Sequence, residues 1–210
     1  MNLQLALDRL SWAECFRLVR ETQADIDIIE IGTGVIKEYG MVIVRTMRQE
    51  FPEHMLLADM KICDAGKHEA KQAFDAGADI ATVMAFASKA TIRGAQEMAG
   101  EYDKEMMVDL LEVHDRKKVE QLKADGVSFV GLHIGKDEQK KQALGEQVFQ
   151  LVEGLHLKTA VAGGVTLEAL PSICRESPDV VIAGSAITKA ERPEDTARSM
   201  KEQIRKYQKG

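Results

Sequence analysis

The chain has 210 residues, 45% apolar and 30% charged, enough apolar material for a core in one large domain or two small ones. A net charge of −6, with no basic block beyond the short 136–141 stretch, argues against nucleic acid or an anionic membrane as the main partner. Three scattered cysteines (Cys15, Cys63, Cys174) suit a reducing compartment, and no stretch nears the ~18 to 20 apolar residues of a membrane span.

The opening Met1-Asn2-Leu3-Gln4-Leu5-Ala6-Leu7-Asp8 lacks the basic n-region and long apolar run of a secretory signal, so a cytoplasmic location is expected. Its apolar part, 3–7, reads as a strand and is followed by a helix-like stretch at 12–22. The same alternation continues: strand 26–31 and helix 35–49, strand 55–58 and helix 67–76, strand 80–84 and helix 91–102. It then gives strand 106–111 and helix 116–125, strand 127–132 and helix 138–153, strand 159–162 and helix 167–175, strand 180–183 and helix 194–207. Helices end at recognisable stops such as Ala76-Gly77 and Asp125-Gly126. Continuously apolar strands alternating with helices imply a parallel sheet buried on both faces. Eight such units without a Pro- or Ser-rich linker predict one α/β domain over 1–210, a closed (β/α)8 TIM barrel. A doubly wound sheet fits less well, because the first turn, Leu7-Asp8-Arg9-Leu10, has no G-x-G-x-x-G.

In such barrels chemistry sits where the strands end. The first strand ends in Asp8 and the second in Glu30. The third runs into Asp59-Met60-Lys61-Ile62-Cys63-Asp64, where Asp59 and Lys61, two apart, share a face and Asp64 falls in the loop beyond. The fifth carries Asp109 toward Glu112 and His114, and the sixth ends at His133. Opposite charges crowded at a strand end can be a surface ion pair, or they can hold a metal, a sugar oxygen and a proton-transfer group together. Asp8 can equally cap a helix, although Ser11 already suits that role. Asp109 is ambiguous, with an inner hydrogen-bonding role as one reading. The last two strands end in Gly163-Gly164 and Gly184-Ser185, on the loops that commonly bind phosphate in this architecture; tight turns are the alternative.

These residues carry a resemblance. Gln4-Leu5-Ala6-Leu7-Asp8, Ile29-Glu30-Ile31-Gly32-Thr33, the Asp59-to-Asp64 string, His133-Ile134-Gly135-Lys136-Asp137 and Ala162-Gly163-Gly164 resemble the 3-hexulose-6-phosphate synthase family. That family and the 3-keto-L-gulonate-6-phosphate decarboxylases belong to the orotidine monophosphate decarboxylase suprafamily. The likeness runs from residue 2 to about 206. The Asp-x-Lys-x-x-Asp string marks the suprafamily, and Glu30 with His133 its magnesium-dependent branch. The H-x-G-x-D-x-Q pattern through Gln139 and the Ser185 that stands where the decarboxylase has an Arg favour the synthase. Gly34, where a proline is common, and Ser88, where an acidic residue is common, depart from the family.

The resemblance implies an aldol addition of D-ribulose 5-phosphate to formaldehyde, giving D-arabino-3-hexulose 6-phosphate through an enediolate. It implies magnesium, with manganese as a substitute, on Glu30 and Asp59. His133 would abstract the C1 proton, Lys61 would stabilise enediolate charge, and Asp8 would orient Lys61 or a sugar hydroxyl. Gly163, Gly164, Gly184 and Ser185 would bind the phosphate, and Asp64 would complete the neighbouring site of a homodimer. The nearest rival is the decarboxylase, through the same enediolate; a non-catalytic phosphosugar-binding barrel is the rival of another kind. A ribulose-phosphate 3-epimerase would need histidine ligands where Glu30 and Lys61 stand.

Overall fold

A computed structural model describes residues 1–135 and 146–208. Eight parallel strands close in sequence order into one barrel: β1 (Asn2–Leu7), β2 (Ile28–Ile31), β3 (Met55–Ile62), β4 (Ile80–Met84), β5 (Glu105–Asp109), β6 (Phe129–His133), β7 (Lys158–Ala162) and β8 (Val180–Ala183). Around them run α1 (Trp12–Thr22), α2 (Thr33–Tyr39), α3 (Met41–Glu50), α4 (Gly66–Asp75), α5 (Lys89–Glu101), α6 (Arg116–Ala124), α7 (Glu146–Gln150), α8 (Leu170–Arg175), α9 (Ser185–Thr188) and α10 (Pro193–Gln208). The architecture is the (β/α)8 barrel that the alternation predicts.

The strands read as unbroken apolar runs because both of their faces are buried. Ala6, Ile28, Leu57, Ile80, Met107, Phe129, Ala160, Val180 and Ile182 fill the barrel interior. Leu3, Leu5, Leu7, Ile29, Ile31 and Leu56 point outward and join the larger cluster under the helices. Each such side chain contributes about 1.5–3 kcal/mol on burial. Helix starts follow from local capping. Ser11 and Glu14 form a capping box on α1, and Asp115 accepts from Lys117 N to start α6. Ser88 caps α5 by accepting from Thr91 N, so the small residue at that place has a structural use.

Among the boundaries that differ from the sequence reading, two matter most. The helix expected over 35–49 is two, because Gly40 takes φ +66° and ψ −167° and separates α2 from α3. The third strand continues past Ala58 to Ile62, so Asp59 and Lys61 lie within it. Of the helix expected over 138–153, Glu146–Gln150 is helical, and residues 151–153 form turns instead.

The lower rim repeats one device. Asp27, Asp79 and Asp179 directly precede β2, β4 and β8, and each carboxylate accepts the backbone N–H of a residue on the preceding odd strand. The acceptor distances are 2.7 Å from Leu3 N, 2.9 Å from Leu56 N and 2.7 Å from Thr159 N. These staples fix the strand register beneath the site. Lys201 of α10 also pairs with Asp27, tying the last helix to the first two strands.

Candidate active site

A cavity of about 1000 Å³ opens at the C-terminal ends of the strands. Asp8, Glu30, Asp59, Lys61, Asp109 and His133 line it from five strands or their ends, with Gly163, Gly164, Gly184 and Ser185 on the loops after β7 and β8. These ten residues, all singled out by sequence, therefore meet around one space. Asp64 does not line it. That side chain is exposed and accepts from Ala65 N at 2.8 Å.

The centre is a hydrogen-bonded chain. Lys61 Nζ lies 3.2–3.3 Å from the two carboxylate oxygens of Asp59 and 2.6 Å from Asp109 Oδ2. The same Asp109 oxygen is 3.1 Å from His133 Nδ1, while Asp109 Oδ1 accepts from Leu111 N at 2.9 Å. Burial alone would raise the Asp109 carboxyl, but the His133 hydrogen bond and charge, followed by Lys61, outweigh it and hold the group at about 2. Asp109 is therefore an acceptor, which places a proton on His133 Nδ1 and leaves Nε2 as the ring's proton acceptor. Burial opposes the Lys61 ammonium, yet Asp59 and Asp109 hold its pKa above the ordinary lysine value.

Asp59 is clamped. Thr82 Oγ1 donates to its Oδ1 at 2.8 Å, and Thr33 Oγ1 lies 2.7 Å from its Oδ2 and 2.8 Å from its carbonyl oxygen. Glu30 is only 8% exposed and accepts from Gln4 Nε2 at 2.6 Å. Burial, then the neighbouring Asp59 and Asp8 carboxylates, push its carboxyl up to about 8, against smaller opposing effects of Gln4 and Lys61. Gln4 Oε1 is buried and has no hydrogen-bond partner among the described residues.

This donor set suits a hard cation. Buried carboxylates crowded together are unfavourable as ions unless positive charge joins them. Among the described residues no three His, Cys, Asp or Glu side chains form a ready-made cage. Two carboxylates that leave other positions to water or substrate oxygens match magnesium better than zinc.

Asp8 owes its place to a glycine: a Cβ at Gly32 would meet Asp8 Oδ1 at 2.1 Å and Leu7 O at 2.6 Å. Gly163 is similarly constrained, with φ +106° and room for a Cβ denied by Ile134 O at 2.6 Å. Gly184 precedes the first turn of α9, whose early N–H groups have no acceptor within the helix. Glu112 also lines the cavity, whereas His114 is 81% exposed. Lys136, Asp137 and Gln139 of the H-x-G-x-D-x-Q pattern lie outside the described residues.

Sequence reasoning left Asp109 ambiguous and passed over Gln4, Thr33 and Thr82. A signal existed for two of them, since Gln4 and Thr82 are polar residues inside otherwise apolar strand runs.

Residues 1–200 match the family described as "Orotidine 5'-phosphate decarboxylase / HUMPS family". The chain is 40% identical to 3-hexulose-6-phosphate synthase of Bacillus subtilis (strain 168), over 97% of this chain and 99% of that one. It superposes on the crystal structure of 3-hexulose-6-phosphate synthase from Salmonella typhimurium with a TM-score of 0.95 at 33% identity, covering 99% of this chain and 100% of that one. It also superposes on 3-keto-L-gulonate-6-phosphate decarboxylase from Vibrio cholerae O1 biovar El Tor str. N16961, with a TM-score of 0.87 at 27% identity and 98% of each chain covered.

Proposed function

The chain belongs to the orotidine 5'-phosphate decarboxylase / HUMPS family, and from that premise we propose that it is an aldolase, a 3-hexulose-6-phosphate synthase. It joins D-ribulose 5-phosphate to formaldehyde, reversibly, as D-arabino-3-hexulose 6-phosphate. The observation that carries this reading is the Asp59–Lys61–Asp109–His133 chain beside the buried Glu30, in a cavity large enough for a pentose phosphate.

The chemistry follows from the atoms. The ketone at C2 makes the C1 proton removable, and His133 Nε2 takes it while Asp109 keeps the proton on Nδ1. Negative charge then grows on the ketone oxygen, and the Lys61 ammonium, held protonated by Asp59 and Asp109, offsets it. The enediolate carbon forms a bond to the formaldehyde carbon, and the new alkoxide oxygen recovers the proton from His133. Asp8 orients Lys61 or a sugar hydroxyl. Backbone N–H groups around Gly163, Gly164, Gly184 and Ser185 receive the phosphate. Glu30 and Asp59 would hold magnesium or manganese, which when bound supplies Lewis-acid stabilisation of negative charge.

The protein acts as a cytoplasmic homodimer in this reading, and Asp64 serves the partner's site. The exposure of Asp64 outside its own cavity supports that assignment. No described helix is long and apolar enough to cross a membrane.

The test is NMR of the purified protein with ribulose 5-phosphate and magnesium in deuterated buffer, before and after formaldehyde. Deuterium at C1 followed by a new hexulose phosphate is the expected result. Exchange with no new product would redirect the reading to 3-keto-L-gulonate 6-phosphate decarboxylation, the activity named for the Vibrio cholerae relative. With neither, the barrel binds phosphosugars without acting on them.

A further inference from the structure

We propose that the Thr82 hydroxyl is a positioning group that sets Asp59 and Lys61 side by side through a bulge in β3, an inference that rests on the function proposed above. Ala58 pairs with Ala81 and Ile62 with Val83, so three residues of β3 (Asp59, Met60 and Lys61) lie opposite Thr82. A bulge of this kind disrupts the ladder and re-aims the side chains on the bulged strand. Lys61 takes φ +48°, a left-handed conformation that an L-residue adopts at a cost and keeps only when its surroundings enforce it.

Thr82 supplies the enforcement. Its oxygen accepts the Lys61 backbone N–H at 2.9 Å and its own proton goes to Asp59 Oδ1 at 2.8 Å. One hydroxyl therefore ties the backbone of residue 61 to the carboxylate of residue 59. Thr33 holds the opposite oxygen of that carboxylate. The result is the 3.2–3.3 Å approach of Lys61 Nζ to Asp59. Thr82 is 0% exposed and lies outside the cavity lining, so it acts through Asp59 and Lys61 and touches no substrate. A valine would keep the β-branched shape that favours the strand and lose both hydrogen bonds. A serine would keep the hydroxyl and lose only a methyl group.

The experiment compares the full-length wild type with Thr82→Val, Thr82→Ser and Thr82→Cys. Two quantities are read: amide hydrogen exchange at Lys61 by NMR, which needs neither metal nor substrate, and kcat and KM for C1 exchange. Thr82→Val is expected to lose protection at the Lys61 amide and to drop kcat roughly 10- to 100-fold, with KM changing far less. Thr82→Ser is expected to recover most of both. Should Thr82→Val fail to fold, Thr82→Cys stands in, since a thiol of similar size is a weak hydrogen-bonding group. Wild-type protection in the variant lacking the hydroxyl would overturn the proposal. So would a serine variant as impaired as the valine one. A wild type that performs no C1 exchange would remove the functional reading, while the amide exchange still decides whether Thr82 holds the bulge.

Discussion

His133 Nδ1 and Lys61 Nζ share one acceptor, Asp109 Oδ2, at 3.1 and 2.6 Å. A single buried oxygen thus fixes the tautomer of the histidine and the position of the ammonium. The pairing makes Asp109→Asn more damaging than its small change in shape suggests. An amide turned to donate toward His133 would oppose the Nδ1–H tautomer, and its neutrality would leave Lys61 with less counter-charge. C1 exchange should fall by about 10²- to 10⁴-fold, the range for a disabled general base, with KM changing less. His133→Ala should fall at least as far. An Asp109→Asn variant at wild-type rate would show that the histidine needs no such partner.

The barrel was legible because two-sided burial writes each parallel strand as an apolar run, as in Ile28-Ile29-Glu30-Ile31 or Val180-Val181-Ile182-Ala183. The charged residues ending those runs were legible for the same reason, since Glu30 and His133 interrupt or close an apolar pattern. What stayed hidden depends on neighbours across strands. The role of Asp109 needs Lys61 from β3, beyond the intervening β4, and His133 from the adjacent β6, and the bulge at Asp59–Lys61 needs the register against β4. Neither is written in local spacing. The break at Gly40 was available as a glycine within a helical stretch, yet the apolar periodicity on both sides of it reads through.

Glu30 gives a pH signature in the metal-free protein. Its folded-state pKa of about 8 stands above the 4.5 of an unperturbed Glu. The folded state therefore binds more protons than the unfolded one across that window, and stability falls as pH rises from about 4.5 to about 8. For so buried a group the loss is on the order of a few kcal/mol. Urea midpoints in the presence of a chelator, at pH 5 and pH 8, should show this fall in the wild type. Glu30→Gln should flatten it, and added magnesium should restore the wild type at pH 8 far more than the variant. A wild type equally stable at both pH values would argue against a crowded, protonatable Glu30.

Asp79 supplies a control on the opposite rim. It accepts from Leu56 N, pairs with Arg48, and lies 2.7 Å from Lys104 Nζ. Burial would raise its carboxyl, but Lys104, Leu56 N and Arg48 together lower it. Its contribution is therefore present above the usual carboxylate range and is lost as pH falls through the depressed folded value. Asp79→Asn should cost about 1–3 kcal/mol in urea unfolding at pH 7 and leave kcat nearly unchanged, because Asp79 lies at the end of the barrel away from the cavity. A large kcat loss at normal stability would mean that the lower rim controls the site.

Asp64 separates a site built by one chain from a site built by two. Asp64→Asn and His133→Ala should each be nearly inactive when purified alone. If Asp64 serves the partner's cavity, a mixed dimer regains one intact site, with His133 from the Asp64→Asn chain and Asp64 from the His133→Ala chain. Unfolding and refolding the two variants together in equal amounts makes half of the dimers mixed. Each of those has one working site of two, so activity should recover to roughly a quarter of the wild type by random pairing. Asp64 acting within its own chain would give no recovery, since each chain would still carry one defect in its own site.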